Sequence, residues 1–211
     1  MSVWDERAEA YRQSREHSEG WDLELLVDWA GGARTALDVA TGGGHVARRL
    51  REAGLEVVSS DPAPGMRADV VCPAEQLPFA DASFEVVTCR LAAHHFEDVE
   101  AATAEMARVA SELLLIVDNL WISGKDEEAN HLRDPSHVRN YSADEWRKVL
   151  AETGLELEDE RVGERRIELE PWLERTGTTE ADAERIRVLV ADRVEDGRLR
   201  IDRIALKGRK R

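Results

Sequence analysis

Three groups of residues in this 211-residue chain have types and spacings that could do chemistry. The first is the glycine run Gly42-Gly43-Gly44, which follows a short apolar stretch and opens a helical pattern. Glycines there let backbone N–H groups approach a ligand with no Cβ in the way, and a helix N-terminus favours anions. Gly42-x-Gly44-x-x-Ala47 also satisfies the dinucleotide spacing, so a nicotinamide or flavin cofactor is one reading. Asp38, four residues before Gly42, favours another. A carboxylate in a buried strand is costly without a partner. Just ahead of a glycine loop it repels a pyrophosphate but suits a ligand with an ammonium group. The second group is Asp61, at the end of the next apolar run, where an acid can accept both hydroxyls of a ribose. The third is Cys89-Arg-Leu-Ala-Ala-His-His-Phe96, with more histidines in His131-Leu-Arg-Asp-Pro-Ser-His137. Histidine is a natural general base. Adjacent His94 and His95 are expected to point apart, one of them structural. Without further ligands at suitable spacing the pair is not read as a zinc site, and no metal is expected.

These residues need strands to hold them. Ala36–Ala40 reads as a buried parallel strand, followed by a helix over 45–53 that stops at Gly54. Leu55–Ser60 is the second strand, and 62–66 has room only for a loop or a single turn. Ala68–Cys72 is an edge strand, Phe84–Cys89 the fourth and Glu112–Asp118 the fifth, with a helix over 97–110 between the last two. Residues 119–140 read as polar and irregular. Ser142 and Glu145 form a capping box for a helix running to Thr153. Leu155–Glu168 is a sixth strand, 171–194 is helical, and the alternation of 199–207 marks a closing strand. At the N-terminus, Val3–Glu19 is an amphipathic helix with Trp4, Ala8 and Tyr11 on one face. Trp21–Trp29 is a second helix, ended by Gly31-Gly32. Ligands of such sheets sit at the carboxyl ends of the strands. The glycine loop, Asp61 and the end of the fourth strand must therefore share one crevice.

Composition narrows the partners. The formal net charge is −15, which repels nucleic acid at long range. Cys72 and Cys89 stand alone, which argues against a disulfide framework or structural zinc and for a reducing compartment. No signal pattern appears, and no apolar run approaches the ~20 residues of a membrane span. The expectation is a soluble, cytoplasmic protein with a small-molecule partner, no nucleic acid and no membrane, as a monomer or homodimer.

Asp38-Val-Ala-Thr-Gly-Gly-Gly44 resembles the first motif of the class I S-adenosylmethionine-dependent methyltransferases, with Ala40 in place of its first glycine. Ala74-Glu-Gln-Leu-Pro-Phe79 resembles the segment around the adenine in that family, with Pro73 where an acid is usual. His131–Arg139 and Tyr141–Trp146 resemble a small-molecule subgroup of type 11, like the ubiquinone and menaquinone biosynthesis methyltransferases. The resemblance implies an α/β fold: a Rossmann-like, seven-stranded, mostly parallel sheet with helices on both faces and an antiparallel last strand. It implies one domain over 1–211, with lid helices over 1–30 and substrate-covering insertions at 119–146 and 171–197. It implies S-adenosylmethionine as cofactor, held by Asp38, Thr41, Gly42, Gly44, Asp61, Pro62, Ala74, Glu75, Gln76, Cys89 and Arg90. His94 would stand beside the transferred methyl, and Tyr11, His17, His137 and Trp172 would line the acceptor pocket. Two alternatives stay open: a nicotinamide-dependent oxidoreductase, although no Tyr-x-x-x-Lys is present, and a nucleoside-binding regulatory protein without turnover.

Overall fold

The computed structural model describes residues 3–210 and, within them, the side chains of all but residues 3–7, 15 and 16. Trp4 therefore lies outside the described side chains. The strands are β1 (Thr35–Val39), β2 (Glu56–Asp61), β3 (Val70–Val71), β4 (Phe84–Arg90), β5 (Ala110–Asn119), β6 (Glu156–Glu168), β7 (Val194–Glu195) and β8 (Arg198–Arg209). They form one sheet in the order β3-β2-β1-β4-β5-β8-β6, with β7 attached to β8. The pairs among β1 to β5 are parallel, and β8 runs antiparallel to β5, β6 and β7. The seven expected strands are thus present, and the two-residue β7 makes an eighth. The edge strand β3 is shorter than expected, because only Val70 and Val71 pair with β2.

The helices are α1 (Val3–Arg12), α2 (Arg15–Ser18), α3 (Trp21–Trp29), α4 (His45–Glu52), α5 (Val99–Val109), α6 (Gly124–Arg133), α7 (Ala143–Glu152), α8 (Leu169–Glu174) and α9 (Glu180–Leu189). Side chains alternate across a strand, so each strand feeds two cores. On one face Leu37, Val87, Leu114 and Ile116 pack with Met106 of α5 and Trp146 of α7. On the other, Ala36, Val86, Leu113 and Leu115 pack with Leu23 and Leu26 of α3 and Val46 and Leu50 of α4.

Two expectations need correction. The helix over 21–29 is not part of a lid, since its apolar face is the cover of the sheet. Helix α1 lies on the loop after β2 instead: Ala8 and Tyr11 pack on Ala63 and Met66, and Arg12 donates to the Gly65 carbonyl. The stretch 119–140 is not irregular either. Ser123 caps α6 by accepting the Asp126 N–H, with Asp126 and Glu127 in the first turn and His131 and Arg133 in the last, all favourable to the helix dipole. Helices α6, α8 and α9 build a third, small core from Ala129, Trp172, Leu173, Ile186 and Leu199 beside the β6–β8 hairpin. Arg133 joins its parts, stacked 4.3 Å over the Trp172 ring and donating to the Trp172 carbonyl at 3.0 Å.

Candidate active site

The glycine corner is strained where it turns. Ala40, the residue after β1, has φ 52°, a left-handed conformation that costs an L-residue roughly 1–2 kcal/mol and that glycine adopts freely. Gly42 has φ 51°, and Gly44, the N-cap of α4, has φ 73°. Asp38 holds the turn together. Its carboxylate accepts the hydroxyls of Thr41 and Thr88 and, at 3.1 Å, the Ala47 N–H of α4. It is 1% exposed, and burial pushes its pKa up to about 6 against those bonds. Asp61 accepts the Gly42 N–H and the Ala63 N–H, each at 2.9 Å, one on each oxygen.

Thr41, Gly42, Asp61, Pro62 and Arg90 line one cavity, together with Met66, Ala92 and Phe96. Five of the expected cofactor residues thus come together. Gly44 and Asp38 stand behind this wall and shape it. Four other expected cofactor residues lie outside the cavity. Ala74 is buried in the core beside Leu77, and neither Glu75 nor Gln76 lines the cavity. Cys89 is also in the core, its thiol pushed well up by burial. Alternation explains the last case: on β4, Val87 and Cys89 share a face, so Arg90 must take the opposite one.

Arg90 is held there by a buried ion cluster. Its Nε donates to Asp22 Oδ2 at 2.7 Å, and Arg203 Nη1 reaches the two Asp22 oxygens at 3.2 and 3.4 Å. Burial raises the Asp22 pKa, but the Arg203 and Arg90 charges outweigh it, leaving the carboxyl below its usual range. One carboxylate therefore faces two guanidiniums. Arg90 Nη1 donates to the His17 carbonyl, while its buried Nη2 has no hydrogen-bond partner among the described residues.

A second, more polar cavity is lined by Tyr11, His17, His94, His95, His137 and Trp172, among others. All five residues expected around the acceptor are among these. Contrary to expectation, His94 and His95 both face it, their rings 4.1 Å apart. The 3₁₀ turn over 93–95 allows this, because His95 Nδ1 is tied back to the Ser136 carbonyl. Burial and the neighbouring His94 push the His95 pKa down to about 3. His94 Nδ1 lies 2.5 Å from Asp118 Oδ1, and its backbone N–H donates to Oδ2. Burial raises the Asp118 pKa, but His94 and the backbone donors bring it below the usual carboxylate range. Asp118 was missed, although an acid ending the fifth strand stands where Asp61 stands on the second.

Residues 37–112 match the family described as Methyltransferase domain. The uncharacterized methyltransferase YcgJ of Bacillus subtilis strain 168 is 34% identical over 207 residues, 86% of this chain and 81% of YcgJ. The chain belongs to the methyltransferase family. A methyltransferase structure from Bacillus halodurans C-125 has 31% sequence identity and a TM-score of 0.80, covering 90% of this chain and 99% of that one. The YcgJ structure matches with a TM-score of 0.80 and 27% identity over 90% of this chain and 98% of its own. A demethylmenaquinone methyltransferase of Renibacterium salmoninarum is 37% identical over 97 residues, 40% of this chain and 41% of that protein. The protein is an S-adenosylmethionine-dependent methyltransferase with a Rossmann-like fold. Nothing in the comparisons supports the nicotinamide or non-catalytic alternatives. Among the described residues, no helix is long and apolar enough to cross a membrane.

In this methyltransferase an ionised Asp38 close to the cofactor's ammonium group would make binding depend on pH. A cationic ligand binds better when the nearby acid is ionised, and this acid titrates at about 6. Ligand binding then lowers that value and releases a proton, so affinity is lost as pH falls. S-adenosylmethionine affinity should rise between about pH 5 and 7 and level off above, an outcome that titration calorimetry across that range reads directly. A flat profile would remove Asp38 from the cofactor's electrostatics.

Proposed function

We propose that the enzyme methylates a small molecule held in the polar cavity, with His94 as general base oriented by Asp118. The observation that carries this reading is that the two cavities share a wall of Tyr11, His17, Leu91 and His95. A cofactor in one and an acceptor in the other meet across it. The first cavity fits the cofactor part by part. Asp61 is a carboxylate acceptor at the cavity wall for the ribose hydroxyls, and Met66, Ala92 and Phe96 offer an apolar surface for a flat base. The Nη2 of Arg90, without a hydrogen-bond partner among the described residues, suits the amino-acid carboxylate. Thr41 and Gly42 flank it with space where a Cβ would stand.

S-adenosylmethionine, when bound, supplies an electrophilic methyl group on a sulfonium. The chain's own residues then position and deprotonate the acceptor. Asp118, ionised and able only to accept, requires the proton of His94 on Nδ1. That leaves Nε2 to accept a proton from an acceptor hydroxyl, phenol or acidic C–H. The resulting imidazolium stays paired with Asp118. Proximity and exclusion of water under α1 and α8 supply the rest.

His94→Ala and Asp118→Asn should each lower methyl transfer by about 10²- to 10⁴-fold, the usual worth of a positioned base, with S-adenosylmethionine affinity within about twofold. The assay follows transfer of a labelled methyl group from S-adenosylmethionine into a small-molecule extract. Parallel loss of cofactor binding would make His94 a cofactor-side residue and move the base elsewhere.

A further inference from the structure

Helix α6 carries Glu127 and His131 one turn apart, so both project from the same face. The chain then doubles back after α6 and brings His137 against them. The ligand-type atoms of the three all lie within 4.8 Å of one another. His137 Nε2 is 2.8 Å from Glu127 Oε1, and the rings of His131 and His137 are 4.9 Å apart. We propose that Glu127, His131 and His137 bind one divalent transition-metal ion of the zinc class.

The donor set is two imidazoles and one carboxylate. Three protein ligands of these types leave a coordination position open, as catalytic rather than structural zinc sites do. Imidazole donors select zinc and its first-row neighbours over magnesium or calcium. With bonds of about 2.0–2.2 Å, ligand atoms around a tetrahedral ion stand roughly 3.3–3.5 Å apart. Reaching that needs His131, which is exposed, to turn inward and the Glu127–His137 pair, now 2.8 Å apart, to open slightly. The other two ligands are held from behind. Glu127 Oε1 also accepts the Asn140 backbone N–H at 3.0 Å, and the backbone N–H of His137 donates to the Asp134 carbonyl at 2.9 Å, fixing the loop that carries it. Such outer bonds orient metal ligands.

The cluster is distinct from the His94–His95 pair considered in the sequence, and only the folding of 119–140 into α6 creates it. His137 nevertheless lines the polar cavity, its ring 5.5 Å from that of His94. The open coordination position would suit an oxygen donor of the acceptor, such as a phenolate or enolate. That consequence rests on the methyl-transfer reading, but ion binding itself does not.

Tag-free full-length protein, stripped with a chelator and titrated with Co²⁺ alone, tests the site. The expected result is one equivalent bound with the visible ligand-field absorption of a four- or five-coordinate nitrogen–oxygen site. Binding should weaken at least tenfold in His131→Ala, whose position is exposed, and in Glu127→Gln, with circular dichroism unchanged in both. Absence of that absorption at one equivalent, or equal binding by wild type and His131→Ala, would overturn the proposal and leave Glu127–His137 as a hydrogen-bonded pair. Either outcome stands apart from S-adenosylmethionine binding, measured separately on the stripped protein.

Discussion

Gly42→Val is expected to lose S-adenosylmethionine binding by more than about 100-fold while the protein stays folded. Nothing lies within 4 Å of the position a Cβ would take at Gly42, and φ there is +51°. The space opens into the cavity proposed for the cofactor, so a valine would fill the ligand's place rather than clash with the protein. A β-branched residue at positive φ adds strain of order 1–3 kcal/mol, small enough for an otherwise intact core to absorb. Titration calorimetry paired with circular dichroism reads both halves. Native-like binding by the variant would mean that the glycine loop is a turn and no more. Gly43 differs: a Cβ there would meet the Tyr11 carbonyl at 2.6 Å and His45 Nε2 at 2.7 Å, so its substitution pushes on α1 instead.

The largest loss of stability should come from Asp22→Ala. Asp22 is 0% exposed and is the counter-charge to both Arg90 and Arg203, the latter 1% exposed. Removing one member of a buried ionic cluster leaves the others desolvated and unbalanced, at a cost of roughly 3–5 kcal/mol. For a chain of this size that lowers Tm by about 10 °C, to be read by thermal unfolding. Cofactor affinity should fall as well, because Arg90 loses the partner that aims it. An unchanged Tm would show that water or neighbouring groups compensate the two arginines, and the cluster would no longer explain the position of Arg90.

Much of this arrangement was legible in the sequence, and the failures have physical reasons. The strand–glycine–helix corner was readable because buried parallel strands are short apolar runs and left-handed turns favour glycine. Asp61 followed from its place at the end of a strand. The residues expected around the acceptor, Tyr11, His17, His94, His137 and Trp172, met in one cavity because the elements carrying them all reach the carboxyl edge of the sheet. Cys89 was misplaced by treating consecutive residues at a strand end as one group, although alternation sends Cys89 and Arg90 to opposite faces. The segment 74–76 was placed by motif, which fixes where the backbone passes but not where Ala74 turns. Helix α6 was missed because its only buried residue is Ala129. With almost no apolar periodicity, the only signal was its cap, Ser123 with Asp126 and Glu127. The histidine–carboxylate cluster on α6 was hidden with it.

The most direct test of the account is calorimetric titration of the wild-type protein at neutral pH with S-adenosylhomocysteine, repeated with NADH. The account predicts one site per chain for S-adenosylhomocysteine, displaced by S-adenosylmethionine, and no heat of binding for NADH. Saturable binding of NADH with none of S-adenosylhomocysteine would contradict it, because the glycine corner and Asp61 would then serve a dinucleotide.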